Sequence, residues 1–160
     1  MNDVRTLRLA HLNDLAAVDR LLQRSFGRLL RADYPPSVMV TVVPMLARAK
    51  PALLASGRYF VVEGAGRLLG AGGYTLRGPG TAEIRHVAVD PDMARQGVGR
   101  MLMAGVFRAA EAEGVRRYLS LSTLTAVPFY TALGFQAAGR IEMQMLAGIN
   151  FAVVRMQRPI

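Results

Sequence analysis

The chain has 160 residues, 52% of them hydrophobic, which is long enough to bury one core and too apolar for a disordered chain. It has no cysteine, and His11 and His86 are its only imidazoles, which excludes a disulfide framework and a thiolate nucleophile and leaves no metal expected. The net charge of +9 is carried by arginine except for Lys50. Such a charge suits a polyanionic partner, yet the arginines stand singly apart from Arg116–Arg117, and no aromatic-interleaved basic run marks a nucleic-acid platform.

No apolar run approaches the roughly 20 residues of a membrane span; Val38–Val43 is interrupted by Thr41 and closed by Pro44. The opening MNDVRTLRLAHLND carries charges where a signal peptide needs an apolar segment. A cytoplasmic protein with no membrane partner is expected.

In chain order, Asn13 or Asp14 is placed to cap a helix in which Leu15, Val18, Leu22, Phe26 and Leu29 recur at helical spacing. Tyr34-Pro35-Pro36 closes it, and a second apolar helix is expected over Val38–Lys50. Tyr59–Gly64 and Arg67–Leu76 read as strands joined by a turn at Gly64–Gly66. Gly78-Pro79-Gly80 then turns the chain into a third strand, Thr81–Val89. Val98, Met101, Leu102, Gly105, Val106 and Ala109 share one face of a helix ending near Gly114. Arg116–Ser122 reads as a buried strand and Ala126–Leu133 as a short helix stopped by Gly134. Two strands, about Gln136–Leu146 and Asn150–Gln157, complete an α/β sandwich with a mixed sheet, read as one domain over residues 1–160.

Gly97 and Gly99 sit where a strand and loop become a helix. The first turn of a helix has N–H groups with no internal acceptor, and the aligned peptide dipoles add partial positive charge there. Glycine removes the side chain that would hold an anion away and permits positive φ. With Arg95 and Arg100 adding charge, the loop Arg95–Arg100 suits a diphosphate-like group. It is not a P-loop, because no Gly-Lys-Ser/Thr follows. Nor is it a dinucleotide fingerprint: Leu102 stands at the third glycine and Arg116 and Arg117 where an acid is needed.

The stretch AEIRHVAVDPDMARQGVGRMLM, Ala82–Met103, resembles motif A of the GNAT superfamily of acetyl-CoA-dependent N-acetyltransferases, and STLTAVPFYTALGF, Ser122–Phe135, resembles its motif B. The resemblance spans nearly the whole chain in element order. It implies a GNAT-like fold, with a mixed, mostly antiparallel central sheet flanked by about four helices. It also implies acetyl-CoA (coenzyme A) as cofactor, its pyrophosphate wrapped by Arg95, Gln96, Gly97, Val98, Gly99 and Arg100. Two positions depart from the family pattern. Ala94 replaces the Gln/Arg of motif A, so one side-chain contact is missing. Thr125 replaces the asparagine common in motif B, keeping a hydroxyl without the amide's reach. In relatives the fourth strand splays from the fifth and its free backbone groups hold the thioester and pantetheine arm; here that segment is Val87, Ala88 and Val89.

Without cysteine an acetyl-thioenzyme is excluded, and direct attack by an amine in a ternary complex is the simplest route. Tyr130, after Phe129, stands where the family places a tyrosine near the cofactor sulfur and is the candidate general acid. Glu83 falls where histone-acetylating relatives carry a base glutamate. In an unbulged strand Glu83, Arg85 and Val87 share a face, so Glu83 is either a base or an ion-pair partner of Arg85. His86, facing the opposite way by alternation, is the weaker candidate.

The resemblance implies a small-molecule or peptide amine as acceptor, in a cleft shaped by residues 25–50 and 140–155. A protein this cationic repels polycations, which favours an acceptor with a carboxylate or a neutral peptide N-terminus. The apolar content leaves room for a homodimer. The rival readings are a non-catalytic acyl-CoA sensor and, with less support, a nucleic-acid-binding module.

Overall fold

The computed structural model describes residues 4–159. A seven-stranded sheet forms the middle layer, in the order β1-β2-β3-β4-β5-β7-β6, from β1 (Thr6–Leu9), β2 (Tyr59–Gly64), β3 (Arg67–Leu76), β4 (Thr81–Val89), β5 (Arg117–Thr123), β6 (Gln136–Gln144) and β7 (Asn150–Pro159). All neighbours are antiparallel except β4 and β5. The helices are α1 (Leu15–Leu29), α2 (Pro36–Leu46), α3 (Pro51–Leu54), α4 (Val98–Ala112) and α5 (Val127–Ala132).

Alternation along the strands divides the core between the two faces. On one face Val18, Leu21 and Leu22 of α1 pack with Tyr59, Val61 and Ala71, and α2 packs with Phe151 and Val153 of β7. On the other, Leu102, Met103 and Val106 of α4 pack with Val62, Leu69 and Ile84 and with Tyr130 and Phe135 around α5. The apolar stripes of α1 and α4 each meet a sheet face, as helical spacing requires.

Three local features differ from the sequence reading. A strand, β1, lies along β2 as an extra edge, with Leu7 opposite Val62. The second helix stops at Leu46, and Lys50 is extended (φ −104°, ψ 115°) ahead of the one-turn helix at Pro51, because a residue before proline is pushed out of the helical region. Asp14 does not cap α1: its carboxylate accepts from the backbone N–H of His11 at 2.8 Å and pairs with Arg8.

Candidate active site

Parallel pairing of β4 with β5 runs only over Thr81–Arg117, Ala82–Tyr118 and Glu83–Leu119. Beyond Glu83 the strands diverge, although β4 continues to Val89 and β5 to Thr123. The wedge opens into a cleft of about 520 Å³ that reaches from Phe26 and Leu30 of the α1 side to Phe129 and Tyr130 of α5. The N–H of Asp90 donates to Leu69 O on β3. Strand alternation therefore turns the N–H and C=O of Val89 away from β3, towards the gap. Unpaired main chain lines the opening.

β4 bends at its centre. His86 adopts φ +49°, and the β3–β4 register slips between Ala71 and Gly73. This is a β-bulge, and the extra residue re-aims everything after it. Val87 packs with the α4-side cluster, whereas Ala88 joins the α1 side. Glu83 and Arg85 share a face as expected, whereas Val87, beyond the bulge, is turned away from it. Tyr59, buried beneath the bulge, donates its hydroxyl to His86 O at 2.7 Å.

Glu83, Arg85 and His86 all line the cleft. Glu83 pairs with Arg77 rather than Arg85: Arg77 Nε donates to its Oε2 at 2.6 Å. Arg85 Nη1 instead donates to Thr75 Oγ1 at 3.1 Å. Burial, followed by the charges of Lys50 and Arg85, lowers the His86 pKa to about 4. The imidazole is therefore neutral at pH 7 and a weak proton acceptor.

Tyr130 is buried in the wall, its ring edge-on to Phe129 and Phe135 at 5.2 Å each. Desolvation pushes its phenol up to about 12, with the neighbouring Ser120 hydroxyl acting in the opposite direction. A phenol so placed stays protonated at neutral pH and so enters a reaction with a proton to give. Thr125 also lines the cleft, and its hydroxyl donates to Asp33 Oδ2 at 2.8 Å.

The loop after β4 leads to the start of α4. Asp90, whose side chain is 3% exposed, accepts from Arg24 at 3.1 Å, from Arg67 at 2.5 Å and from the Asp92 N–H at 2.9 Å, pinning this loop to α1 and β3. Arg95 (φ +62°) and Gly97 (φ +83°) both take left-handed conformations. Among the described residues, the N–H groups of Gly97, Val98, Gly99 and Arg100 have no backbone acceptor. A Cβ on Gly97 would stand in open space, 4.0 Å from Arg5 Nη1. Arg95, Gln96 and Arg100 are exposed around this mouth, whereas the Val98 side chain is buried. Only the backbone of Val98 can face a ligand. The group implied by the sequence, a coenzyme with linked phosphates, fits such a cradle.

Arg5 was not foreseen. Just before β1, it donates to Gln96 O and adds a further cation beside Gly97. Its only sequence signal would have been β1 itself. A larger hollow, about 760 Å³, lies around the Gly64–Gly66 turn. It shares no lining residue with the cleft, and Asp14, Arg24, Glu63, Arg67 and Asp90 on its walls are engaged in ion pairs.

A model of the acetyltransferase (GNAT) family matches residues 17–135. Among solved structures, a GCN5-related N-acetyltransferase from Rhodopseudomonas palustris superposes with a TM-score of 0.82 at 22% identity, covering 100% of this chain and 99% of that one. The PaiA N-acetyltransferase of Thermoplasma acidophilum, in complex with coenzyme A, gives 0.76 at 13% identity over 98% and 99%. A ribosomal-protein alanine N-acetyltransferase from Escherichia coli gives 0.68 at 22% identity over 98% and 94%. At these identities the likeness is one of fold.

Proposed function

Because the chain belongs to the acetyltransferase (GNAT) family, we propose that it moves an acetyl group from acetyl-CoA to a primary amine by direct attack in a ternary complex. The observation that carries this reading is the β4–β5 opening. Its pairing stops at Glu83–Leu119, the uncapped start of α4 lies at the end of the loop that follows β4, and Tyr130 stands in its wall.

Acetyl-CoA would supply an activated acyl thioester. The N–H groups from Gly97 to Arg100, with Arg5, Arg95 and Arg100 around them, hold its linked phosphates. Gln96 and Phe129 border the entrance, and Thr125 lines the cleft beside the pantetheine path. The free main chain of Val87, Ala88 and Val89 orients the acyl arm. An N–H directed into the gap there stabilises the oxygen on which charge develops. Glu83 takes the ammonium proton, directly or through water, with Oε1 because Oε2 is held by Arg77. As the amine nitrogen bonds to the acyl carbon and the carbon–sulfur bond breaks, Tyr130 would give its phenolic proton to the sulfur and recover one, through water, from the acylated nitrogen, leaving an amide and a free thiol.

Two observations favour a second reading, a non-catalytic acyl-CoA-binding sensor: Glu83 is tied to Arg77, and His86 is a weak base. Thiol release from acetyl-CoA across an amine panel, with calorimetry of cofactor binding alongside, separates the two. An enzyme turns over and loses rate in Glu83→Gln while keeping cofactor affinity. A sensor binds and never turns over.

A further inference from the structure

The cleft walls carry an unbalanced set of charges. Lys50, Arg77 and Arg85 face it against a single carboxylate, Glu83, which Arg77 already holds. Among the described residues neither Lys50 nor Arg85 has a carboxylate within ion-pair distance. The contact to Thr75 fixes one amino group of the Arg85 guanidinium, and among the described residues its other N–H groups have no hydrogen-bond partner. Both cations also stand near enough to His86 to depress its basicity. Lys50 is exposed and Arg85 half-buried, so both cations are open to an anion brought in by a ligand.

Beside hydroxyls such as that of Ser25, this end of the cleft carries an apolar wall. Phe26 and Leu30 of α1 and its extension, Leu46 of α2, and Phe151 and Val153 of β7 line it. A polycationic amine meets like charge here, and a purely polar one leaves these side chains wet.

Resting on the reading of the chain as an acetyltransferase, we propose that its acceptor is an apolar α-amino acid, whose carboxylate docks on Arg85 and Lys50 while its side chain lies against Phe26, Leu46 and Phe151. The amine is then directed towards Glu83 and the β4–β5 opening. Arg85 and Lys50 are specificity residues that touch the acceptor away from the bond being made.

The test is thiol release from acetyl-CoA with L-phenylalanine, with 2-phenylethylamine, which is the same apolar body and primary amine without the carboxylate, and with spermidine. Wild-type protein and Arg85→Gln are compared, with cofactor titration reporting that each is folded. A charge-assisted carboxylate contact predicts kcat/KM for phenylalanine roughly tenfold or more above phenylethylamine, mainly through KM. Arg85→Gln brings that ratio towards one by raising the phenylalanine KM. Phenylethylamine or spermidine turned over as well as phenylalanine, or a ratio unmoved in Arg85→Gln, overturns the acceptor assignment and leaves the acetyltransferase standing. Cofactor uptake without thiol release from phenylalanine overturns the acceptor assignment; silence across the whole amine panel overturns the acetyltransferase reading as well.

Discussion

Gly99, in the first turn of α4, faces the ring of Phe129 in α5: a Cβ at Gly99 would lie 2.6 Å from Phe129 Cε1. The glycine read from sequence as phosphate-facing is thus first a packing glycine. It lets α5 close against the start of α4 and sets the cradle and Tyr130 on one rigid unit. Gly99→Ala should cost about 1–3 kcal/mol through overpacking, read as a lowered urea midpoint. Pairing it with Phe129→Leu should recover part of that loss, since the two side chains share one space. An additive double mutant would show that the contact is not the cause.

Tyr130→Phe removes one oxygen and leaves the ring packed on Phe129 and Phe135. Loss of a general acid predicts a fall in kcat of about 100-fold, with the dissociation constant for coenzyme A unchanged. Steady-state thiol release and calorimetry measure the two quantities separately. An equal fall in cofactor affinity would make Tyr130 a structural residue.

His86 makes stability depend on pH. Its folded pKa of about 4 lies below its unfolded value, near 6.5, so the unfolded chain binds the extra proton between these values. Stability therefore falls as pH drops from about 6.5 towards about 4 and is unaffected by this group above that window. Lys50 and Arg85 act on the imidazole directly, and Glu83 and Arg77 share its cleft. His86→Asn suits the left-handed backbone at this position and removes the titration. Its urea midpoint should decline less than that of the wild type across the window; parallel curves would contradict the assignment.

Much of this arrangement was legible in the residues. Helical spacing located α1 and α4, the Gly64–Gly66 and Gly78–Gly80 turns delimited β2, β3 and β4, and the two motifs gave the family. The β1 strand escaped because four residues reading Thr-Leu-Arg-Leu carry too short an alternation to stand out, and Arg5 was lost with it. The His86 bulge was not legible either. It depends on the register with β3 around Gly72 and on the Tyr59 hydroxyl, both distant in sequence. The partner of Glu83 was not legible for another reason: Glu83 and Arg85 precede the bulge and keep regular register, but Arg77, at the end of the β3 hairpin, reaches the carboxylate across the turn while Arg85 turns to Thr75.

Gly97 bears on the central claim most directly. Its positive φ and the open space where a side chain would stand mark the mouth of the cradle. Calorimetric titration of coenzyme A into the wild type and into Gly97→Val measures this. Saturable uptake in the micromolar range typical of such substrates is expected for the wild type. At least a tenfold loss is expected for the variant, whose side chain both strains the left-handed backbone and enters the space of the phosphates. Folded wild-type protein that takes up no coenzyme at millimolar concentration, or a variant that binds it equally well, would contradict the account.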